Sequence, residues 1–203
     1  MQNIKRNTML LFSLLFVYIL LYFTFQNDEV FWYLYTFTML VCTAIAIITE
    51  KFEDQLPTWK YLLHGIGYGT VTYGIIRLGY WIISYIDKGL LKTVSKFLAT
   101  YGPMNIGHYL LLILVITIGE ELFWRGYVQS QLKHFMQPFA AILTMAILSA
   151  IAISLSGFML GAIAAFVVSM IFGLLYEWRK SMPLIIVAHI VFVLLLFLVL
   201  PLT

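Results

Sequence analysis

The sequence predicts an all-α, polytopic membrane protein with about seven transmembrane helices and one short interfacial helix. The chain has 203 residues, of which 63% are hydrophobic and only 10% charged, and its mean hydropathy is +0.97. Such values are typical of proteins that cross a bilayer several times. The apolar residues lie in long continuous runs, whereas a transmembrane β-barrel would have short alternating segments.

The individual elements follow from the positions of these runs. Runs of about 20 apolar residues span the hydrocarbon core as helices, and the first is too long for a signal-peptide core, so we expect it to be retained. The predicted spans are residues 8–25, 30–49, 61–86, 106–124, 139–154, 158–176 and 184–202. The short link at 154–157 predicts a tight antiparallel hairpin between the fifth and sixth spans. A polar, amphipathic linker is expected at 125–138.

Between the third and fourth spans, apolar residues recur at helical spacing against lysines. This pattern predicts a short helix that lies in the membrane interface. Its apolar face would consist of Leu90, Leu91, Val94, Phe97 and Leu98, and its polar face contains Lys92 and Lys96.

The third span contains four glycines, at positions 65, 67, 69 and 74, which predict close helix packing. It also contains Arg77, for which a contact with a neighbouring helix or a snorkelling position is favoured over a catalytic role. The single cysteine, Cys42, lies in an apolar run and is expected to be packed and inert.

The distribution of basic residues predicts that the N-terminus is cytoplasmic, because cytoplasmic loops carry an excess of lysine and arginine. If the N-terminus is cytoplasmic, only Lys88, Lys92 and Lys96 lie on the other side. The cytoplasmic side then carries Lys5, Arg6, Lys51, Lys60, Arg125, Lys133, Arg179 and Lys180.

The stretch Gly119-Glu120-Glu121-Leu122-Phe123-Trp124-Arg125-Gly126 follows an uninterrupted apolar run at 109–118. A charge at bilayer depth costs from about 2.5 kcal/mol to several times that, so such groups usually face a cavity or a partner. Two interpretations are open. The charges mark the point where a helix leaves the membrane, with Glu121 and Arg125 as a surface pair, or they form an intramembrane site.

Helix geometry separates the roles of the two glutamates. Glu121 and Arg125 are four residues apart and can pair, with the acidic residue first. Glu120 is rotated by about 100° from Glu121 and can face something else. An unpaired, partly desolvated carboxylate beside a paired one is a plausible general base. His189 follows the charged turn at 177–183 and lies at a similar depth, so it can face the glutamates across one cavity.

Glu120-Glu121-x-x-x-Arg125-Gly126 resembles the first motif of the CAAX-protease and bacteriocin-processing (CPBP, or Abi) family of intramembrane proteases. The stretches 172–176 and 181–189, the latter ending at His189, resemble the last conserved region of that family. The resemblance covers about residues 106–192. It implies that Glu120 is the base that activates water, that Glu121 and Arg125 support the site, and that His189 is an oxyanion donor.

The sequence also departs from the family pattern. The second motif of the family, Phe-x-x-x-His, corresponds to 149–153 without a gap or to 153–157 in a shifted register, and neither stretch contains a histidine. Val193 occupies the position of an asparagine in the last motif. Two hypotheses remain: an endopeptidase acting on membrane-associated or prenylated-type substrates, and a catalytically inactive scaffold, immunity or regulatory protein of the same fold.

The resemblance implies a multi-pass protein of a bacterial plasma membrane, with residues 1–105 as N-terminal spans and 106–203 as the CPBP-like core. We expect no cofactor. The sequence leaves open whether a divalent metal ion binds, although Glu120 and His189 are fewer ligands than a metal site needs. The expected partners are the lipid bilayer and a membrane-associated peptide or protein. Nucleic acid is not expected, because the 12 basic residues are dispersed along the chain.

Overall fold

A computed structural model describes residues 2–202 and the side chains of residues 7–202. The side chains of Lys5 and Arg6, which contribute to the predicted orientation, lie outside that range. Eight helices form the described chain: α1 (Gln2–Phe25), α2 (Phe31–Thr49), α3 (Thr58–Ile86), α4 (Lys88–Tyr101), α5 (Ile106–Leu132), α6 (Pro138–Ser154), α7 (Met159–Arg179) and α8 (Met182–Val199).

Five helices, α1, α2, α5, α7 and α8, are long and apolar enough to cross a membrane. Helix α6 is apolar but shorter, at 17 residues, and α3, with 29 residues, is not among the helices apolar enough to span. The predicted class, a polytopic all-α membrane protein, is therefore confirmed, while the count of seven spans stays a prediction. The helix expected between the third and fourth spans is present as α4.

The prediction of a polar linker from residue 125 is wrong, because α5 continues to Leu132. The polar residues of this extension are buried and find partners on neighbouring elements. Gln129 Nε2 donates to the carbonyl of Gly173 at 3.2 Å, and Gln131 Nε2 donates to Glu50 Oε1. The amphipathic pattern of this segment thus reflects helix packing.

Helices α3 and α8 run parallel and in close contact. A Cβ atom on Gly65 would lie 2.8 Å from Val187 Cβ, and one on Gly69 would lie 2.8 Å from Val191 Cβ. The small residues, four apart, let the two backbones approach, as in other helix pairs of membrane proteins. The prediction for the glycines at 67 and 74 is wrong, because a Cβ there would meet open space.

The C-terminal end of α8 is capped by α3. Arg77 donates from a terminal guanidinium nitrogen to the carbonyl of Pro201 at 2.7 Å, and the Tyr73 hydroxyl donates to that of Leu200 at 2.5 Å. Helix C-termini leave carbonyls without intrahelical partners and favour a nearby cation. Arg77 therefore contacts the segment that directly follows α8, and its side chain is exposed.

The α2–α3 loop and the α7–α8 turn lie together at one end of the bundle. Gln55 N donates to Lys180 O at 3.0 Å, and Ser181 Oγ donates to Asp54 Oδ1 at 2.8 Å. At the same end, Glu177 accepts from Lys133 Nζ at 2.6 Å and Lys180 Nζ at 2.7 Å. Burial alone would lower the pKa of Lys180, but the contact with Glu177 holds that pKa above its ordinary value. The predicted cytoplasmic loops thus share one face.

The opposite end of the bundle holds the α1–α2 and α6–α7 turns. Gly157 in the second turn has φ +75°, a conformation that glycine adopts without strain. Helices α6 and α7 then pack side by side, and the hydroxyls of Ser149 and Ser169 hydrogen-bond across them at 2.9 Å. The predicted tight hairpin is confirmed.

Candidate active site

The glutamate pair lies on a short α-helical segment of α5, Thr117–Glu121, between two π-helical stretches. These stretches are Leu112–Ile116 and Leu122–Gln129. π-helical turns interrupt the regular side-chain spacing and are frequent at functional sites. The residue just before the pair, Gly119, lies against α2, where an added Cβ would be 2.8 Å from Met39 O. Helix α2 can therefore place side chains beside the glutamates.

Glu121 is fully buried and has two basic partners. Its Oε1 accepts from Arg125 NH1 at 3.1 Å and lies 2.6 Å from Nδ1 of His189. The predicted i,i+4 pair thus forms, but its side chains are only 0% and 3% exposed. The interpretation as a surface pair is wrong. A buried carboxylate held between a guanidinium and an imidazole suits an anchoring role better than proton transfer.

Glu120 differs from its neighbour because its side chain is 20% exposed and borders a cavity. Its Oε1 accepts a hydrogen bond from the Tyr35 hydroxyl of α2. Its Oε2 lies 3.7 Å from Nε2 of His189. Sequence reasoning missed Tyr35, because a tyrosine in an apolar span carries no motif signal.

His189 joins the two glutamates. Its Nδ1 faces Glu121 Oε1, a carboxylate oxygen, and therefore acts as the donor. This contact directs Nε2 toward Glu120 and the cavity. The ring of Phe172 lies 5.5 Å from the imidazole and 5.5 Å from the guanidinium of Arg125, so it packs against both partners of Glu121.

The site opens on an apolar cavity of about 460 Å³. Residues of α3, α4, α6 and α7 form its walls, and Glu120, Arg125 and His189 form a polar patch on one side. A smaller cavity of about 180 Å³ has an aromatic lining that includes Phe31 and Trp32. Glu120 and His189 border both cavities. The polar groups are therefore accessible from an otherwise apolar space.

The two positions at which the chain departs from the family pattern lie in the cavity walls. Ile153 borders both cavities, and Val193 borders the smaller one. Ile153 is the position of the second-motif histidine in the ungapped alignment. The shifted register would place it at Gly157, which lies in the α6–α7 turn. The geometry thus favours the ungapped register, with an apolar side chain in place of the imidazole.

The other three histidines do not border either cavity. His64 Nδ1 lies 2.7 Å from the carbonyl of Lys60, and His108 stacks on Trp32 with the ring centres 4.5 Å apart. His134 is exposed beyond the end of α5. In the described part of the chain, His189 is therefore the one imidazole at the site.

The donor set does not fit a catalytic metal. Such a site needs about three protein ligands with open coordination. Glu121 Oε1 is engaged by Arg125 and His189, and its Oε2 is buried without a hydrogen-bond partner. Glu120 and Nε2 of His189 are the groups that face the cavity. Across the described residues, no group of three or more histidine, cysteine, aspartate or glutamate side chains is placed to hold a metal ion.

The fold is that of a polytopic helical membrane protein, and its polar site consists of two glutamates, an arginine and a histidine. Residues 102–195 match the family model described as type II CAAX prenyl endopeptidase Rce1-like. The matched segment contains the glutamates, the arginine and the histidine of the site. This match covers just under half of the chain and confirms the resemblance to the CPBP family over that segment. Comparisons with curated proteins and with solved structures gave no match.

Proposed function

We propose that the chain is an intramembrane endopeptidase that hydrolyses peptide bonds of membrane-associated or prenylated-type substrates, with Glu120 as the general base. One observation carries the proposal. Glu120 borders the cavity with a partly exposed carboxylate, while the adjacent Glu121 is buried and neutralised by Arg125. Two neighbouring carboxylates in different environments are typical of acid–base sites.

The reaction follows from the positions of the groups. Glu120 takes a proton from a water molecule in the cavity, and the oxygen attacks the carbonyl carbon of the peptide bond. The tetrahedral intermediate carries a negative oxygen. Nε2 of His189, whose Nδ1 is held by Glu121, donates to that oxygen, a contribution of about 3 to 4 kcal/mol in comparable sites. Glu120 then returns the proton to the leaving amine as the carbon–nitrogen bond breaks.

Tyr35 supports this role of Glu120. The family motif would place a histidine at position 153, where this chain has Ile153. The Tyr35 hydroxyl donates to Glu120 Oε1 from the opposite helix, which fixes the orientation of the carboxylate and leaves Oε2 on the cavity side. Tyr35 is therefore a positioning residue that compensates in part for the missing imidazole.

The apolar cavity favours substrates that reach the site from the membrane. An aqueous peptide would have to cross apolar walls, whereas a membrane-associated chain loses little on entering them. We place the protein in a bacterial plasma membrane with a cytoplasmic N-terminus. The loops at the end of the bundle that holds Lys133 and Lys180 carry more basic residues than the opposite end, which supports this orientation.

A scaffold without catalysis is the second candidate, and the apolar side chains of Ile153 and Val193 in the cavity walls favour it. Two of the four positions to which the resemblance assigns catalysis are then unable to donate or accept protons. In this case the buried contacts of Glu121, Arg125 and His189 hold α5 and α8 together. The cavity would bind a partner, as in an immunity or regulatory protein.

The test compares new protein N-termini in membranes that contain equal amounts of wild type or Glu120→Gln, in a strain that lacks the gene. The exposed Glu29→Gln serves as a matched control. Termini that appear with wild type and with Glu29→Gln, and disappear with Glu120→Gln, support the endopeptidase and identify its substrates. Identical profiles with folded protein in all three strains would overturn it and favour the scaffold.

A further inference from the structure

Helix α4 closes the cavity at one end of the bundle. Val94, Phe97 and Leu98 on its apolar face border the large cavity. The ring of Phe97 stacks on Phe158 in the α6–α7 turn, with centroids 4.4 Å apart and planes inclined by 21°. Any displacement of α4 therefore changes the wall of the space that Glu120 faces.

A second contact attaches the C-terminal end of α4 to the α1–α2 turn. The Tyr101 hydroxyl donates to Asp28 Oδ1 at 2.9 Å, and the Tyr101 ring lies 4.7 Å from that of Phe31. Helix α4 thus bridges two turns that connect apolar helices. Because the α1–α2 turn joins two candidate membrane spans, its contact with α4 indicates that α4 lies near the membrane surface.

The outer face of α4 carries three lysines in one row. Lys88, Lys92 and Lys96 are spaced four residues apart and are all exposed. Among the ion pairs of the described residues, none involves these lysines. Like charges at this spacing repel one another and weaken an isolated helix. An external anion would remove this repulsion.

Aromatic residues at the end of α3 support an interfacial position for this row. Trp81 and Tyr85, just before α4, are 55% and 73% exposed. Exposed tryptophan and tyrosine concentrate where a bilayer meets water, at the level of lipid headgroups. The lysine row therefore lies where lipid phosphates are the nearest abundant anions.

We propose that the outer face of α4 binds the headgroups of anionic phospholipids through Lys88, Lys92 and Lys96, and that this contact holds α4 against the cavity. The charge of the row is complementary to the lipid phosphates, and each lysine near an anionic surface contributes a factor of roughly five in binding. The composition of the surrounding leaflet then regulates how firmly the cavity wall is held.

The experiment measures amide hydrogen exchange of α4 in the full chain in nanodiscs. One set contains phosphatidylcholine alone, and the other contains equal parts of phosphatidylcholine and phosphatidylglycerol. The variants are Lys92→Gln/Lys96→Gln and the charge-matched control Lys51→Gln/Lys60→Gln, which changes the opposite end of the bundle. Lys92→Arg/Lys96→Arg retains the charge, and inorganic phosphate added to neutral nanodiscs tests a soluble anion.

We expect exchange in α4 to be at least roughly fivefold slower with phosphatidylglycerol in wild type, the control and the arginine variant. The glutamine variant Lys92→Gln/Lys96→Gln should lose this protection. Equal exchange in both lipids, or protection that survives the glutamine changes, would overturn the proposal. If inorganic phosphate protects α4 equally in neutral nanodiscs, the ligand of the lysine row is a soluble anion, and the proposal of lipid headgroups is overturned. Hydrogen exchange does not depend on peptide hydrolysis, so the experiment tests lipid binding by α4 independently of the proposed endopeptidase activity.

Discussion

Nδ1 of His189 lies 2.6 Å from Oε1 of Glu121, so one contact joins α8 to α5 across 68 residues of sequence. The same oxygen accepts from Arg125 at 3.1 Å. Because both basic groups converge on the buried carboxylate, Glu121 is engaged in holding the site together. Its neighbour Glu120 remains the carboxylate available to the cavity, and this division of roles underlies the predictions on the site.

Arg125→Ala should destabilise the fold strongly. The guanidinium is almost completely buried, and its loss leaves Glu121 with a single partner at bilayer depth. Breaking a buried ion pair by removing one member costs about 3 to 5 kcal/mol. Thermal unfolding in detergent and the abundance of membrane-inserted protein measure the effect. Lys51→Ala, at an exposed lysine, should change stability by less than about 0.5 kcal/mol.

An Arg125→Ala protein with wild-type abundance and unfolding temperature would contradict the idea that this network holds the helices. Arg125→Lys provides an intermediate case. It keeps one charge but not the planar shape of the guanidinium that packs on Phe172. We expect a smaller loss of stability than for alanine.

Tyr35→Phe should lower cleavage without lowering abundance. The change removes only the hydroxyl that donates to Glu120, while the ring still stacks on Phe31 with centroids 5.2 Å apart. Hydrogen bonds to charged groups contribute about 1.5 to 3 kcal/mol, which corresponds to roughly a 10- to 100-fold loss in kcat/KM. The assay uses a substrate identified from the N-terminal profile.

Tyr33→Phe is the matched control for this prediction, because Tyr33 lies two residues away on α2 and is 73% exposed. It should cleave like wild type. If both variants cleave at the wild-type rate, Tyr35 does not position Glu120. If Tyr35→Phe also loses abundance, the hydroxyl has a structural role instead.

The sequence predicted the class of fold and the partners of the first motif for physical reasons. Long apolar runs determine where helices form, and spacing along one helix determines that Glu121 can reach Arg125. The contacts of Tyr35 and the buried ends of Gln129 and Gln131 could not be predicted, because they depend on which helices pack side by side. From the sequence alone, Gln129 and Gln131 therefore suggested an exposed linker, although neighbouring elements supply their hydrogen-bond partners.

Gly69→Ala should destabilise the pair of α3 and α8. A Cβ there would collide with the carbonyl of Ala188 and lie 2.8 Å from Val191 Cβ, so the helices would have to separate. Overpacking of this kind costs about 1 to 3 kcal/mol. Gly67→Ala, two residues away on the same helix, meets open space and should stabilise by up to about 1 kcal/mol. Thermal unfolding of both variants checks the contrast, and equal unfolding temperatures would contradict the parallel packing.

The contact of Tyr101 with Asp28 should make stability fall at alkaline pH. Burial, with the hydrogen bond to Asp28 and its charge, raises the pKa of Tyr101 to about 12. The pKa of the folded state is above the ordinary value of about 10, so the folded state binds the proton more tightly. The stabilising contribution is complete below about pH 10 and is lost as the pH rises through about 12.

Unfolding temperatures measured across this pH window should fall more for wild type than for Tyr101→Phe, which has no proton to lose. Tyr85→Phe, at an exposed phenol, should follow wild type. Equal slopes for wild type and Tyr101→Phe would mean that the contact with Asp28 does not contribute to stability. The result also tests the attachment of α4, since Tyr101 ends that helix.

Two substitutions of His189 separate the anchoring role of its Nδ1 from the chemical role of its Nε2. In His189→Asn, the side-chain amide can still donate to Glu121 from about the position of Nδ1, but nothing replaces Nε2 beside Glu120. We therefore expect near wild-type stability. Cleavage should fall by about 100- to 1,000-fold, because an oxyanion donor has been removed.

His189→Gln places its amide nearer the position of Nε2 and breaks the contact with Glu121. A buried acceptor left with one donor costs about 1 to 3 kcal/mol, so this variant should be less stable than His189→Asn, although it keeps a donor near the cavity. Unfolding temperature and cleavage should thus rank the two variants in opposite orders. If His189→Asn cleaves like wild type, His189 does not stabilise the oxyanion. If neither variant nor wild type cleaves, yet all three cross-link to the same membrane partner, the anchoring role alone survives and the scaffold is the better account.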